Sequence, residues 1–192
     1  MRKIETLLQR GGKPFRALPA LTPGMEWVLD NEGIPTEKYD GTACCIHGGK
    51  FFKRLKVKEG GPKPPGWMHW RTQAGLEDPA ESGHGWAPVG DGNEDAHHRE
   101  GWAWLPEGLT RDGTWELVGP AVQRNPYNLN GHHLWEHGSS PLALYLTPSS
   151  YGAHKHLRLW LEQHTIEGIV WHHPDGRMAK IKRSDFGLPW PV

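Results

Sequence analysis

A long helix needs a stretch free of glycine and proline, and this chain offers few, with 25 Gly and 17 Pro spread over 192 residues. Glycine costs about 1 kcal/mol and proline about 3 kcal/mol in a helix interior relative to alanine. The composition therefore points to strands and turns with few long helices. Eleven tryptophans supply large apolar anchors, and the length suffices to bury a proper core within one domain. The expectation is a single α+β domain spanning residues 1–192, rich in antiparallel sheet.

Local patterns place the elements. Ile4–Gln9 and Glu26–Leu29 read as short elements separated by Gly- and Pro-containing sequence. The clearest hairpin runs from Thr42–His47 through the turn pair Gly48-Gly49 into Lys50–Leu55, because two glycines supply the left-handed conformations of a tight turn. Residues 59–66 are too rich in Gly and Pro for regular structure. The stretch 67–105 is Trp/His-rich with little periodicity and reads as an irregular insertion, pinned to the sheet by Trp67, Trp70, Trp86, Trp102 and Trp104. Thr114–Val118 reads as a strand. Leu157, Trp160 and Leu161 share one face of the only convincing helix, Leu157–Glu162. Thr165–His172, the turn 174–176 and Arg177–Lys182 form a second hairpin.

Charge narrows the function classes. Acidic and basic residues balance at 22 each, so no global field draws the chain onto nucleic acid and any such contact is local. No apolar run approaches the roughly 20 residues that span a bilayer, and Met1-Arg2-Lys3 opens no signal peptide. The two cysteines, Cys44 and Cys45, are adjacent; neighbours on a strand point to opposite faces, so no mutual disulfide is expected. A reduced, cytoplasmic protein without membrane contact is the expectation. The paired histidines 97–98, 132–133 and 172–173 would diverge on strands, and neither they nor the cysteines have zinc-site spacing.

Four short segments carry the reactive side chains: Lys38-Tyr39-Asp40-Gly41, Glu116-Leu117-Val118-Gly119, Glu167-Gly168-Ile169-Val170 and Lys180-Ile181-Lys182. Taken singly, each has a plain reading as a solvated loop lysine, a strand-end acid or the outer face of a hairpin. Taken in order, they resemble motifs I, III, IV and V of the covalent nucleotidyltransferases, the superfamily of ATP-dependent DNA ligases, RNA ligases and mRNA capping enzymes. The resemblance runs from Lys38 to Lys182, about three quarters of the chain. Glu116-Leu117-Val118-Gly119-Pro120 followed by Asn125-Pro126-Tyr127 is closest to the RNA-ligase branch, in particular to the small RNA 5′–3′ ligases of animals, microbes and viruses.

The resemblance implies a nucleotidyltransferase (adenylylation) fold of the DNA/RNA-ligase type and a role for each matching residue. Lys38 would attack the α-phosphate of ATP and form lysyl-AMP, with Asp40 supporting the site and Gly41 admitting the backbone close to the nucleotide. Glu116 would hold the ribose hydroxyls, Glu167 a divalent metal (Mg²⁺, with Mn²⁺ as an alternative), and Lys180 and Lys182 the α-phosphate. Arg54, with Lys53 and Lys56 as close competitors, would reach the nucleotide or an incoming RNA end. A free lysine has a pKa of about 10.4, so nearby positive charge would serve to favour the neutral amine and to stabilise the charge building on phosphate. AMP would then pass to an RNA 5′-phosphate, and a 3′-hydroxyl would seal the strand, as in RNA repair.

Only ten residues follow Lys182, too few for the OB-fold domain of DNA ligases and capping enzymes, so none is expected. ATP is the expected donor, because the extra domain of NAD-dependent ligases has no counterpart. Arg2, Lys3, Lys13 and Arg16 remain as candidates for orienting pyrophosphate. No obligate protein partner is evident. Two alternatives stand beside the RNA ligase: transfer to another acceptor, DNA or protein, and a non-catalytic module that binds nucleotides or RNA ends.

Overall fold

The computed structural model describes residues 4–58, 60–69, 83–106, 108, 110–146 and 149–192. Trp70, Arg2 and Lys3 lie outside the described residues. In chain order the first elements are β1 (Glu5–Thr6), β2 (Leu8–Gly11), β3 (Arg16–Leu21), α1 (Glu26–Leu29) and β4 (Ile34–Lys38). They are followed by β5 (Thr42–His47), β6 (Lys50–Lys56), β7 (Met68–His69), β8 (His84–Pro88), α2 (Ala96–Ala103), β9 (Gly113–Val118) and β10 (His133–Glu136). The chain closes with α3 (Ser150–Gln163), β11 (Gly168–His172) and β12 (Met178–Lys182). The architecture is mixed α+β, rich in antiparallel sheet, and the chain divides into two compact units. Among the described residues no helix is long and apolar enough to cross a membrane.

One unit comprises residues 4–39 and Gly138–Val192. Its main sheet has the order β1-β12-β11-β4, antiparallel except for the short parallel pair β1–β12. Strand alternation divides its two faces. Ile169, Trp171, Ala179 and Ile181 join a core with Leu7, Leu157 and Leu161, while Lys180 and Lys182 take the opposite face of β12. The helix α3 covers the core with Ala153, Leu157 and Leu161, four residues apart, all fully buried. It begins earlier than the apolar spacing predicts because the Ser149 hydroxyl caps it, accepting the Gly152 N–H at 3.2 Å. At its other end the buried Arg183 guanidinium donates to the carbonyls of Leu161 and His164, occupying acceptors that the helix leaves open.

The other unit, Asp40–His137, holds a sheet of order β10-β9-β5-β6-β8-β7. The expected hairpin is present: His47 pairs with Lys50 across Gly48 and Gly49, whose φ values are 56° and 70°. Cys44 is buried and Cys45 half-buried on the other face; burial pushes the first thiol well above its ordinary range and the second up to about 11. The stretch expected to be irregular contains β8 and α2. Trp86 is buried and Trp102 packs on the Trp115–Leu117 core, while Trp104 is 63% exposed, its ring 5.7 Å from that of His133 on β10. His97 and His98 lie on a helix, with ring centroids 4.3 Å apart, rather than diverging on a strand.

Candidate active site

Lys38, Glu167, Lys180 and Lys182 belong to the first unit, and the register explains how three of them meet. Lys38, the last residue of β4, and Lys182, the last of β12, are both Cα partners of Gly168 on the strand between them. They therefore share a face, one strand spacing to either side of a residue without a side chain. A Cβ on Gly168 would come within 2.2 Å of the Ile181 carbonyl oxygen, so the strands approach too closely for any other residue.

Glu167, directly before β11, occupies the gap. Its Oε2 accepts from Lys38 Nζ at 2.5 Å and its Oε1 from Lys182 Nζ at 3.0 Å. Lys38 Nζ also donates to the Tyr39 carbonyl at 3.1 Å. The carboxylate is 7% exposed, Lys38 22% and Lys182 33%, so the cations are the accessible part of the cluster. Two ammonium groups on one carboxylate leave an excess of positive charge, and Lys180 takes the same face of β12 as Lys182. Glu37 does not offset it. That side chain takes the other face of β4, where burial raises its carboxyl above the usual range. The backbone is held independently: Arg183 N–H donates to the Glu167 carbonyl and Lys182 N–H to the Asp185 carboxylate, both at 2.9 Å.

Asp40, Gly41, Arg54 and Glu116 belong to the second unit. Gly41 N–H donates to Glu116 Oε1 at 3.0 Å, and the Gly41 carbonyl accepts from Gln123 Nε2 at 3.2 Å. Asp40 N–H donates to the Tyr127 hydroxyl at 2.7 Å. Glycine is required at position 41 because a Cβ would come 2.2 Å from the Leu117 carbonyl oxygen; the close neighbour is the protein's own strand. Gln123 and Tyr127 ride on a loop in which Gln123, Arg124 and Asn125 all have left-handed φ, 47°, 62° and 55°. Non-glycine residues so placed store strain of about 1–3 kcal/mol each. Asn125 closes the loop through two bonds of 2.9 Å with the Leu129 backbone.

The hairpin cations separate. Lys53 is ion-paired to buried Asp95, while Arg54 takes the opposite face of β6 and is exposed, as is Lys56. Lys13 and Arg16 are exposed too, with Arg16 bonded to the Phe15 carbonyl. Three residues of the second half escaped the sequence reading as bonding groups: Gln123, Tyr127 and His137. His137 Nε2 lies 2.7 Å from Glu116 Oε2, and its Nδ1 lies 3.0 Å from Thr114 Oγ1. Only the pairing of β9 with β10 reveals it.

Among the described residues no cluster of three or more His, Cys, Asp and Glu side chains forms a metal cage. A lone carboxylate suits a hard cation that brings most of its own oxygen ligands, as Mg²⁺ does with phosphates and water.

The family model for RNA ligase 1 matches residues 93–192, which include Glu116, His137, Glu167, Lys180 and Lys182. RNA ligase 1 of Mus musculus is 28% identical over 265 aligned residues, covering 99% of this chain and 78% of that protein. RNA ligase 1 of Rattus norvegicus is likewise 28% identical over 265 residues, with 99% and 79% covered. RNA ligase 1 of Danio rerio is 36% identical over 87 residues, 41% of this chain and 26% of that protein.

Proposed function

Because the chain belongs to the RNA ligase 1 family, we propose that it joins RNA ends with ATP as donor, through a lysyl-AMP intermediate formed on Lys38. The observation that carries this reading is the cluster of two lysines on one buried carboxylate, which leaves positive charge for an anionic substrate. The nucleotidyltransferase fold of the ligase type, taken as one functional domain, belongs to the same proposal.

In the first step the Lys38 amine attacks the α-phosphorus of ATP. A P–N bond forms while the P–O bond to pyrophosphate breaks, and the amine proton leaves to the solvent or the phosphates. Lys182 and Lys180 bind the α-phosphate oxygens and offset their charge as the new bond forms. Glu167 holds Lys38 at rest and must release it for attack. The same carboxylate would hold Mg²⁺, which supplies neutralisation of phosphate charge when bound. Glu116 takes the ribose hydroxyls, Asp40 supports the site, Gly41 lets the backbone come close to the nucleotide, and Arg54 meets the nucleotide or the RNA end. AMP then passes to the RNA 5′-phosphate, and attack by a 3′-hydroxyl expels AMP and seals the strand.

The test is incubation with α-labelled ATP and Mg²⁺, followed by a denaturing gel. The expected result is a covalent label on the wild type, after clearance of any bound AMP with pyrophosphate, and none on Lys38→Ala. Addition of 5′-phosphorylated RNA is expected to discharge the label into joined product. Discharge only by DNA or by a protein would replace the acceptor, and absence of label on the wild type would leave a binding module.

A further inference from the structure

We propose that His137 is a positioning residue that aims the Glu116 carboxylate and thereby makes the site selective for a nucleotide carrying both ribose hydroxyls. The inference rests on the assignment of Glu116 to the ribose under the proposed function and goes beyond it in naming what fixes that carboxylate.

The placement follows from the hairpin. Thr114 and Glu116 are two residues apart on β9 and share a face. His137 follows the end of β10 and donates its N–H to the Thr114 carbonyl at 3.1 Å, carrying the ladder one step further. The imidazole therefore lies opposite Thr114 and diagonal to Glu116, within reach of both. It touches each, through Nδ1 at 3.0 Å and Nε2 at 2.7 Å.

The chemistry of the partners fixes the roles. An ionised carboxylate only accepts, so His137 Nε2 carries a hydrogen and donates. In the neutral ring Nδ1 then accepts from the Thr114 hydroxyl, and in the charged ring the hydroxyl accepts instead; the bond to Glu116 is kept in both. A carboxylate offers about four lone-pair directions. Gly41 N–H takes one on Oε1 and His137 takes one on Oε2. Held at both oxygens, the group cannot rotate about its terminal torsion, and the two remaining directions are fixed. Two directions suit two vicinal hydroxyls. The Glu116 side chain is 12% exposed. A second layer of side chains orients metal ligands in the same way, where loss of such a partner typically costs about 10–100-fold in metal affinity or activity.

The experiment measures equilibrium binding of ATP, 2′-deoxy-ATP and 3′-deoxy-ATP to the full chain carrying Lys38→Ala, in which no covalent transfer can intervene. That chain is expected to prefer ATP. Adding His137→Ala is expected to weaken ATP about tenfold while changing either deoxynucleotide little, so that the preference collapses. His137→Gln, whose amide nitrogen can donate to Glu116, is expected to restore much of it. Equal weakening of all three nucleotides, an unchanged preference, or no preference before His137 is altered would overturn the inference. Should His137→Ala fail to fold, Thr114→Val carries the test: a reduced preference supports the inference and an unchanged one overturns it. Labelling of the Lys38-intact chain runs in parallel. Absence of label with the hydroxyl preference intact would sink the ligase reading alone.

Discussion

Two buried carboxylates in this protein each hold a lysine at short range, and they differ in what else surrounds them. Asp95 is paired with Lys53, accepts the Gly90 N–H at 2.8 Å, and has His98 Nδ1 3.7 Å away. Burial works against its charge, yet the Lys53 and Gly90 bonds outweigh it and hold the carboxyl below the usual range. His98 is itself held neutral at ordinary pH, its pKa pushed down to about 4 by burial and by His97 beside it. One negative charge meets one positive charge and the account closes. Glu167 meets two lysines and does not close. A balanced buried pair is a brace. An over-supplied one, two lysines on a single carboxylate, suits an incoming anion.

The sharpest way to break this comparison is Glu167→Gln, which keeps the shape and removes the charge. Covalent labelling is expected to fall about a hundredfold or more, as when a group that organises charge at a reacting phosphate is lost. Melting should fall by less than in an Asp95→Ala variant, because the Gln oxygen still accepts from a lysine and Arg183 N–H and Asp185 hold the neighbouring backbone. A normal labelling rate would mean that the cluster is only a second brace.

Asp95→Ala is the mirror experiment. It strands Lys53 and leaves the Gly90 N–H without its acceptor, so a loss of about 2 kcal/mol or more is expected. In a domain of this size that lowers the melting temperature by about 5 °C or more. Labelling measured well below the melt should be nearly unchanged. A variant that melts normally but no longer takes label would place Asp95 with the chemistry and erase the distinction.

The difference between the two carboxylates was only half legible in the sequence. Glu116 and Glu167 stand out because each precedes apolar strand residues and a glycine, and Lys180 and Lys182 because they sit two apart on a strand, all in a set order. The β5–β6 hairpin is legible because both turn residues are glycine. Asp95 gives no such signal, since its helix α2 turns a histidine and a glycine inward instead of a leucine stripe. A Cβ on Gly101 would meet Leu117 Cδ1 at 2.6 Å, so the helix packs by closeness, and hydrophobic periodicity cannot report that. Other misses have similar causes. β3 carries Pro19, which reads as a strand breaker, and β4 buries only Thr36 among its five residues. His137 is invisible until β10 is paired with β9. Local pattern names candidates for the chemistry; it does not name the residues that hold them, because their partners are set by register.

The smallest expected effect is on stability against pH, and it belongs to the Asp95 side of the comparison. The ordinary histidine value is 6.5 and that of folded His98 is about 4. Between those values the unfolded chain binds a proton that the folded chain refuses, so stability falls as pH drops from about 6.5 toward 4 and levels off below. His97, also lowered by burial and by the neighbouring His132, adds in the same direction. Asp95 acts at lower pH. Its folded value lies below 3.8, so its contribution is present above that value and disappears as pH falls through the lower one. Urea melts at pH 7 and pH 5 should therefore show a lower midpoint at pH 5, and His98→Gln should flatten that difference. Its Nδ1 is buried without a hydrogen-bond partner, so no bond of that nitrogen is lost in the exchange. A midpoint difference that survives His98→Gln in full would move the titrating group elsewhere, and the Asp95 cluster would then owe its balance to Lys53 and Gly90 alone.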